Sequence, residues 1–590
     1  MEEKKKIKSI INDIIKGIKF GLILGLTVGF IIGIVKGVSL VSSNAYFQNS
    51  LHNLALATIQ LSLNSAVSVS VILAIAAIIS LMMIKIYRES GLVLISSFMI
   101  LLYIASFRRI SPFSYLSFIL MLYGVFYPIG ISTKLREKFS FLNKVANGKL
   151  VLVPIILILI CNGFIYSYRL NTRPKGPNII LISIDALRAD HLSCYGYHRN
   201  TSPNIDQLAS QGVLFKNGFS QACSTVVSHS SIFLSQYPWT HKITGSEKKI
   251  GKSSVTLTEI LKNWNYITAG FVGGAFMSSI YGFGQGFDFF FDRINTSRTI
   301  KFHKDNIFRW LEKVKDKKFF LFLHTYDVHS PYDPPMPYRT LYIGNYSDQR
   351  ALSTLGDYKL TALNLSPEEI DYLIALYDAG INYVDDEIGE LVKRLKKLNI
   401  FNNSVIIITA DHGERLGERG RVGHGGEASR IVTQVPLIMR VPGICQGKVV
   451  EEIVESIDIT PTILDILDIS LPEWMQGKSI LPLIEGSEIE GNFIACTSEE
   501  WGNAPFSRAI RTEEWTYIMN RREPDELYDR INDPKEQSNI IKKRPLIAQE
   551  LKKQLEDFIA LTSEGKPQAT EEVHIDKELK ERLESLGYLH

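Results

Sequence analysis

The chain has 590 residues, a formal net charge of +4 and 46% hydrophobic residues. That length exceeds what one hydrophobic core can serve, so several domains are expected. The nearly neutral charge gives no indication of a nucleic-acid partner. The five cysteines form neither the C-x-x-C spacing of a zinc knuckle nor a disulfide framework.

The first 170 residues differ from the rest in their long apolar segments. Most of these segments are near the length at which a helix crosses about 30 Å of hydrocarbon. They fall at residues 20–42, 66–84, 91–106, 114–132 and 150–168. We therefore predict an N-terminal bundle of about five transmembrane helices over residues 1–170.

Lysines and arginines predict the orientation of this bundle. Basic residues at positions 4–6, 85–88 and 134–149 mark the cytoplasmic side, whereas residues 42–64 contain no Lys or Arg. Only Arg108 and Arg109 argue against this assignment. Five crossings from a cytoplasmic N-terminus predict a multi-pass protein of the cell membrane, with the lipid bilayer as a partner and the remaining chain outside the cytoplasm.

A Pro/Gly-containing linker at residues 171–177 leads into alternating strand and helix patterns. Strand-like apolar runs fall at 178–184, 319–323, 405–409 and 436–441, with a helical stretch at 367–398. This alternation predicts an α/β fold with a central, mostly parallel sheet and helices on both faces over residues 178–485. Short mixed segments at 494–497, 506–511, 515–519 and 526–529 predict a small antiparallel C-terminal subdomain. That subdomain covers residues 486–590 and ends in a helix at 575–586.

Two of the predicted strands end in carboxylates. Asp185 follows the first apolar run, and Asp411 with His412 follows the run at 405–409. Ligands of open α/β sheets bind beyond the carboxyl ends of the strands. Carboxylate oxygen and imidazole nitrogen together suit a divalent metal. Either Asp could instead cap the turn after its strand, and the residues alone leave both interpretations open.

Small hydroxyl residues lie between these strand ends in the sequence. Ser224 and Thr225 precede an apolar helical run, which predicts a helix N-terminus that favours an anion. A hydroxyl placed there can attack a bound phosphorus or sulfur centre. An ordinary helix cap is the alternative.

Several ordered motifs resemble the sulfatase family of the alkaline phosphatase superfamily. They are IDALRADH at residues 184–191, DVHSPY at 327–332, DHGE at 411–414 with HG at 424–425, and SIDITP at 456–461. The matches extend over some 400 residues. The resemblance implies an alkaline-phosphatase-like α/β sandwich and an esterase that binds a metal.

The nucleophile segment departs from the sulfatase pattern. Sulfatases carry C-x-P-x-R or S-x-P-x-R, whose first residue is oxidised to formylglycine. Aligning Tyr237-Pro238 with the family's Y-P places Thr225 in that position, Val227 in place of the proline and His229 in place of the arginine. Threonine cannot become formylglycine. This position resembles the branch that includes phosphoethanolamine and phosphoglycerol transferases.

The expected function is a metal-dependent hydrolase or transferase of phosphomonoesters or phosphodiesters, with lipid head-group transfer as one form. A threonine oxygen activated beside a metal can attack phosphorus and give a covalent phosphothreonine on Thr225. One alternative is a sulfuric ester hydrolase without formylglycine. The other is a catalytically inactive, membrane-tethered binding protein.

The resemblance also assigns individual roles. It implies metal ligation by Asp185, Thr225, Asp411 and His412, and catalytic roles for Thr225, His329, His424 and His229. Because Ala186 replaces a second carboxylate of other members, Zn²⁺ or Mn²⁺ is favoured, with Ca²⁺ or Mg²⁺ as alternatives. His324 and Asp327 are either a second metal site or structural. The expected partner is a phosphorylated or sulfated substrate, lipid-linked or on a glycan.

Overall fold

The computed structural model describes residues 176–292, 299–444, 447–487, 494–499, 507–521, 523–565 and 569–573. The five predicted transmembrane helices, most of the linker and the terminal helix at 575–586 lie outside these residues. Within the described ranges, no helix is long and apolar enough to cross a membrane. The chain divides into two compact units between Arg173 and Pro174, and the described residues belong to the second.

The strands of the described residues follow in chain order. They are β1 (Asn178–Ile184), β2 (Val213–Phe219), β3 (Lys248–Ile250), β4 (Ile267–Phe271), β5 (Phe289–Phe291), β6 (Phe319–Thr325), β7 (Ser404–Thr409), β8 (Arg415–Leu416), β9 (Val422–Gly423), β10 (Leu437–Arg440), β11 (Lys448–Glu455), β12 (Ala495–Glu499), β13 (Ser507–Arg511), β14 (Trp515–Asn520), β15 (Glu526–Asp529) and β16 (Thr570–Glu572).

The α-helices of the same residues are interspersed among the strands. They are α1 (Pro203–Ser210), α2 (Thr225–Leu234), α3 (Pro238–His241), α4 (Leu257–Asn263), α5 (Thr299–Val314), α6 (Asp357–Thr361), α7 (Pro367–Lys397), α8 (Arg430–Thr433), α9 (Ile459–Ile466), α10 (Leu481–Glu485) and α11 (Pro545–Ser563).

Eight strands form the central sheet in the order β11-β2-β10-β7-β1-β6-β4-β5. Neighbouring strands are parallel except at β10, which runs antiparallel to both β2 and β7. The predicted α/β fold with a mostly parallel sheet is therefore confirmed. The reversed strand was not predicted, because the apolar run at 436–441 carries no information about strand direction.

Helices cover both faces of the central strand β1, which is buried along its whole length. Ile180, Ile182 and Ile184 lie in one core cluster with residues of α1, α5 and α7. Ser183 points to the opposite face, where its hydroxyl contacts His229 of α2. This double cover explains why the strand reads as an uninterrupted apolar run.

The long helix α7 begins at a capping box, which fixes its start. Ser366 Oγ accepts a hydrogen bond from the Glu369 amide, and the Glu369 carboxylate accepts one from the Ser366 amide. Pro367 occupies the first turn, where its missing N–H has no cost. The observed end at Lys397 is one residue short of the predicted end, and β7 follows after a short turn.

The C-terminal region contains the predicted antiparallel sheet, in the order β12-β13-β14-β15. Helix α11 packs against it through Ala548, Leu551 and Leu555, in a cluster that also includes Tyr237 and Trp239 beside α3. This helix was not predicted. Most of its other residues are exposed or half-buried, so its apolar stripe is narrow.

His303 is a titratable group buried in the core. Its ring contacts those of Phe271 and Phe291, at centroid distances of 5.6 and 5.1 Å, and its Nε2–H donates to the Val272 carbonyl at 3.1 Å. Burial lowers the pKa of His303 from 6.5 to about 4. The folded state therefore holds this imidazole neutral at pH values where the unfolded chain protonates it.

We expect acid to destabilise the protein partly through His303. The stability contributed by its neutral form is present above pH 6.5 and is lost as the pH falls toward 4. Between pH 7 and 5, wild type should lose about 2 kcal/mol more unfolding free energy than the His303→Phe variant. Urea titrations at both pH values measure this difference. Equal losses in the two proteins would contradict the assignment.

Candidate metal centre and nucleophile

The carboxyl ends of β1 and β7 bring the predicted metal ligands together. These neighbouring parallel strands pair Ser183 with Thr409, so the residues that follow each strand lie side by side. Asp185, Asp411 and His412 each offer a ligand atom, and these atoms all lie within 4.8 Å of one another. All three residues are fully buried.

Each carboxylate has one oxygen held by the protein and a second oxygen that faces the centre. Asp411 Oδ1 accepts the amides of Ala186 and His412, at 3.3 and 2.9 Å. Asp185 Oδ2 accepts from Thr225 Oγ1 at 3.3 Å and from His324 Nε2 at 3.1 Å. Asp185 Oδ1 and Asp411 Oδ2 have no hydrogen-bond partner within the described part of the chain. A carboxylate that only capped the turn after its strand would not explain why these two buried oxygens lack a donor in the described ranges.

The backbone fixes the tautomer of His412. Its Nδ1 lies 3.0 Å from the Gly413 carbonyl, which can only accept, so the proton is on Nδ1. The Nε2 lone pair then points at Asp411 Oδ2, 3.3 Å away, and at Asp185 Oδ1, 3.7 Å away. Three electron pairs thus converge in a buried space, an arrangement that a bound cation stabilises.

Electrostatics support the same conclusion. Burial and the neighbouring Asp411 charge raise the pKa of Asp185. Burial also acts to raise the pKa of Asp411, but His412, His229 and His324 together lower it. Two carboxylates that share a site without a cation cannot both ionise readily, whereas a divalent ion permits it.

Thr225 begins α2, as its sequence context predicts. Ser224 before it is extended, and its side chain does not cap the helix. The Thr225 side chain is 1% exposed, and its hydroxyl donates to Asp185 Oδ2. The first amides of a helix have no intrahelical acceptor and favour an anion beside them. The hydroxyl therefore lies between the candidate metal ligands and an anion-binding helix end.

His229 lies one turn further along α2 and supports its first turn. Its Nδ1–H donates to the Thr225 carbonyl at 2.9 Å, and its Nε2 accepts from the Ser183 hydroxyl at 2.9 Å. Burial lowers the pKa of His229 to about 4, so the ring is neutral at pH 7. No hydrogen bond recorded among the described residues joins this ring to the Thr225 hydroxyl. The predicted catalytic role of His229 stays a prediction.

His329 and His424 form a pair beside the centre. Their Nε2 atoms are 3.0 Å apart, and each Nδ1 donates to a backbone carbonyl, that of Ser330 and that of Cys223 respectively. The His424 ring stacks on His412 with 4.1 Å between centroids. A hydrogen bond between the two Nε2 atoms requires a proton on one of them. The structure thus brings these two predicted residues to the metal group.

His324 and Asp327 do not form a second centre together. His324 Nδ1 accepts from the Gly273 amide at 3.4 Å, and its Nε2–H donates to Asp185. Asp327 instead accepts from the Ile300 amide at 3.0 Å and from the Thr325 hydroxyl. The support that His324 gives to Asp185 was not predicted, although its place on β6, next to β1, could have indicated it.

Comparisons with known proteins indicate a family. Residues 177–469 match the model of the sulfatase family, and residues 430–561 match that of the N-sulphoglucosamine sulphohydrolase C-terminal region. Relatives include the uncharacterized sulfatase YidJ of Escherichia coli, 27% identical and covering 62% of this chain and 83% of its own length. An arylsulfatase of Clostridium perfringens is 23% identical, and the match covers 62% of this chain and 90% of that protein.

Solved structures share the fold. The phosphonate monoester hydrolase of Agrobacterium radiobacter has a TM-score of 0.56 at 20% identity, covering 65% of this chain and 96% of that one. A second structure, BT4656 in complex with D-glucosamine-2-N,6-O-disulfate, has a TM-score of 0.56 at 21% identity. The match covers 67% of this chain and 99% of that one.

We expect Asp411→Ala to abolish divalent-metal binding. Removing this ligand leaves Asp185, His412 and the neutral hydroxyl of Thr225, which hold a cation weakly. Wild type should gain about 2.7 kcal/mol of stability from metal at one hundred times its Kd, and the variant almost none. Elemental analysis and melting curves with added Zn²⁺ or Mn²⁺ measure both effects. Asp327→Asn, at a carboxylate outside the ligand group, is the control and should keep its metal; an unchanged metal content in Asp411→Ala would refute the site.

Proposed function

We propose that this chain, whose residues 177–469 match the sulfatase family, is a metal-dependent hydrolase or transferase of phosphate esters that uses Thr225 as its nucleophile. One observation carries the proposal. The Thr225 hydroxyl, which the motif alignment assigns to the family's nucleophile position, lies at the start of α2 and donates to Asp185 at 3.3 Å. That places a reactive oxygen at the edge of the ligand group.

The donor set fits a divalent ion. Asp185, Asp411 and His412 supply two oxygens and one nitrogen, and Thr225 adds a fourth donor. This mixture favours Zn²⁺ or Mn²⁺ over the all-oxygen sets of Ca²⁺ and Mg²⁺. The ion supplies positive charge that stabilises the charge of the transition state and makes a nearby hydroxyl more acidic.

The chain's own residues account for the first half-reaction. Thr225 Oγ1 forms a bond to phosphorus while the bond from phosphorus to the leaving alcohol breaks. The nearest acceptor for the hydroxyl proton is Asp185 Oδ2. The helix end orients and stabilises the phosphoryl oxygens through its backbone amides. The product is a phosphothreonine on Thr225 and a free alcohol.

His329 and His424 are the proposed proton donors to the leaving alcohol. A proton taken up by either of their Nε2 atoms, which lie 3.0 Å apart, would pass to the departing alcohol oxygen. Water or an acceptor alcohol then attacks the phosphothreonine and gives its proton back to the histidine pair. The bond between Oγ1 and phosphorus breaks, and Asp185 returns its proton to Oγ1, which regenerates the hydroxyl. Water gives hydrolysis, and an alcohol gives group transfer.

A sulfuric ester hydrolase is the second candidate, supported by the family model and by the likeness to an arylsulfatase. Chemistry favours phosphorus, because a sulfated threonine lacks the aldehyde hydrate with which formylglycine expels sulfate. A catalytically inactive binding protein is the third candidate. The convergence of Asp185, Thr225 and the two histidines argues against it, since a binding role does not need a positioned nucleophile.

We also propose a multi-pass location in the cell membrane with the esterase outside the cytoplasm. The five apolar segments of residues 1–170 and their flanking lysines support this. A lipid-linked or glycan substrate suits such a location. The similarity to a structure described with a disulfated glucosamine supports a glycan ester.

Thr225→Ala should lower kcat by about 10³-fold or more, because it removes the bond-forming oxygen. Thr225→Ser keeps a hydroxyl and should retain measurable turnover. Both proteins are assayed with an aryl phosphate, a phosphodiester and an aryl sulfate, and the trapped adduct on residue 225 is mapped by mass spectrometry. Preferred turnover of the sulfate would favour the second candidate. Equal turnover by wild type and Thr225→Ala would exclude the threonine mechanism.

His424→Ala should slow esters of poor leaving groups more than esters of good ones. A general acid contributes about 10²–10⁴-fold when the departing oxygen needs a proton, and little when it leaves as a stable anion. Rates with alkyl and p-nitrophenyl phosphodiesters measure the difference. His303→Phe, at a buried histidine outside the site, is the control. An equal loss for both leaving groups would contradict a proton-donating role.

A further inference from the structure

The end of the central sheet opposite the catalytic centre is rich in lysine. Helices α5 and α7 both run back from the catalytic end, so each ends at the edge where the following strand, β6 or β7, begins. Contacts between Lys304 and Glu387 and between Glu312 and Arg394 show that the two helices lie side by side in the same direction. Their C-terminal ends are therefore neighbours.

Positive charge outweighs negative charge at these two ends. Residues 312–318 and 394–397 contain seven lysines and arginines against two acidic residues. Within the described residues, no carboxylate forms an ion pair with the lysines at 315, 317, 318, 396 or 397. Arg440 ends the reversed strand β10 at the same edge, with its guanidinium 3.9 Å from the ring centre of Phe401. Lys396 lies over the same ring at 5.0 Å.

We call this set the basic edge: Lys315, Lys317, Lys318, Lys396, Lys397 and Arg440. Lysines in the last turn of a helix often interact with the helix dipole. That explanation is insufficient here, because residues 315–318 lie beyond the last residue of α5 and Arg440 belongs to a strand. Arg440 donates to the carbonyls of Phe401 and Ser404, whereas Lys315, Lys317, Lys396 and Lys397 are exposed and give this edge a positive surface on which an anionic partner could bind.

Two further observations indicate what that partner is. Trp264, which is 36% exposed, precedes β4 at this edge, where the Ile267 amide donates to the Lys318 carbonyl at 2.9 Å. Tryptophan is enriched where protein meets the headgroup region of a bilayer. The chain also enters the described unit here, since β1 begins at Asn178 and the apolar segments of residues 1–170 precede it in sequence.

We infer that the basic edge and Trp264 dock against the surface of a membrane that contains anionic phospholipid. Lysine ammonium groups attract the headgroups, and the indole lies among them. Each lysine close to such a surface strengthens association by about fivefold at low salt. Strand β1 has seven residues, so about 20 Å of sheet separates this surface from Asp185. The catalytic end then faces away from the lipid.

The test uses the full-length protein in nanodiscs of phosphatidylcholine, with or without phosphatidylglycerol. Amine acetylation, read by mass spectrometry, reports the accessibility of each lysine. The lysines of the basic edge should react about fivefold more slowly when phosphatidylglycerol is present, and concentrated salt should remove the difference. Lys535, Lys542 and Lys552, exposed in the C-terminal region, are internal controls and should react equally in both lipids.

A charge-reversed variant completes the design. Lys317→Glu with Lys396→Glu and Lys397→Glu should abolish the lipid-dependent protection of Lys315 and Lys318. The matched control, Lys535→Glu with Lys542→Glu and Lys552→Glu, should keep it. An unchanged melting curve shows that each variant folds.

Three outcomes would overturn the inference. Equal acetylation of the basic edge in both lipids excludes recognition of anionic phospholipid. Protection that persists unchanged in the charge-reversed variant shows that tethering, not charge, shields these lysines. Protection by soluble heparin but not by phosphatidylglycerol assigns the edge to a polyanion. None of these results depends on the esterase reaction.

Discussion

The candidate metal centre depends on two buried carboxylates that the sheet forces together. The parallel pairing of β1 with β7 brings Asp185 and Asp411 to adjacent positions, and the fold leaves one oxygen of each without a hydrogen-bond donor among the described residues. A site of this kind is costly when empty and favourable with a divalent ion. Burial of the apolar strands β1 and β7 stabilises the fold enough to keep the two carboxylates close together despite their electrostatic repulsion.

Backbone carbonyls organise the histidines around this centre. Four site histidines each donate Nδ1–H to a backbone carbonyl, which leaves Nε2 available for a different contact. The pairs are His229 with Thr225, His329 with Ser330, His412 with Gly413 and His424 with Cys223. The backbone carbonyls thus determine the tautomer of each of these histidines. Three of these Nε2 atoms face the metal group or each other, while that of His229 contacts Ser183 behind the helix.

The sheet also gives the molecule two chemically different ends. Its carboxyl ends carry the carboxylates, the threonine and the histidine pair, whereas the opposite edge contains the lysines at the C-terminal ends of α5 and α7. Both features follow from one topological fact, that helices return the chain from the catalytic end to the start of the next strand. A membrane contact at the basic edge would leave the candidate metal centre facing away from the lipid.

The sequence by itself determined the α/β class, the strand ends at Asp185 and Asp411, and the helix start at Thr225. Apolar runs that stop at a carboxylate identify buried strands through local chemistry alone, and ordered motifs indicated the sulfatase family, whose model residues 177–469 match. Only the tertiary structure decided the direction of β10, the support of Asp185 by His324, the tautomer of each histidine and the meeting of His329 with His424. These depend on contacts between residues distant in the chain, such as the 95 positions that separate His329 from His424, which local patterns do not encode.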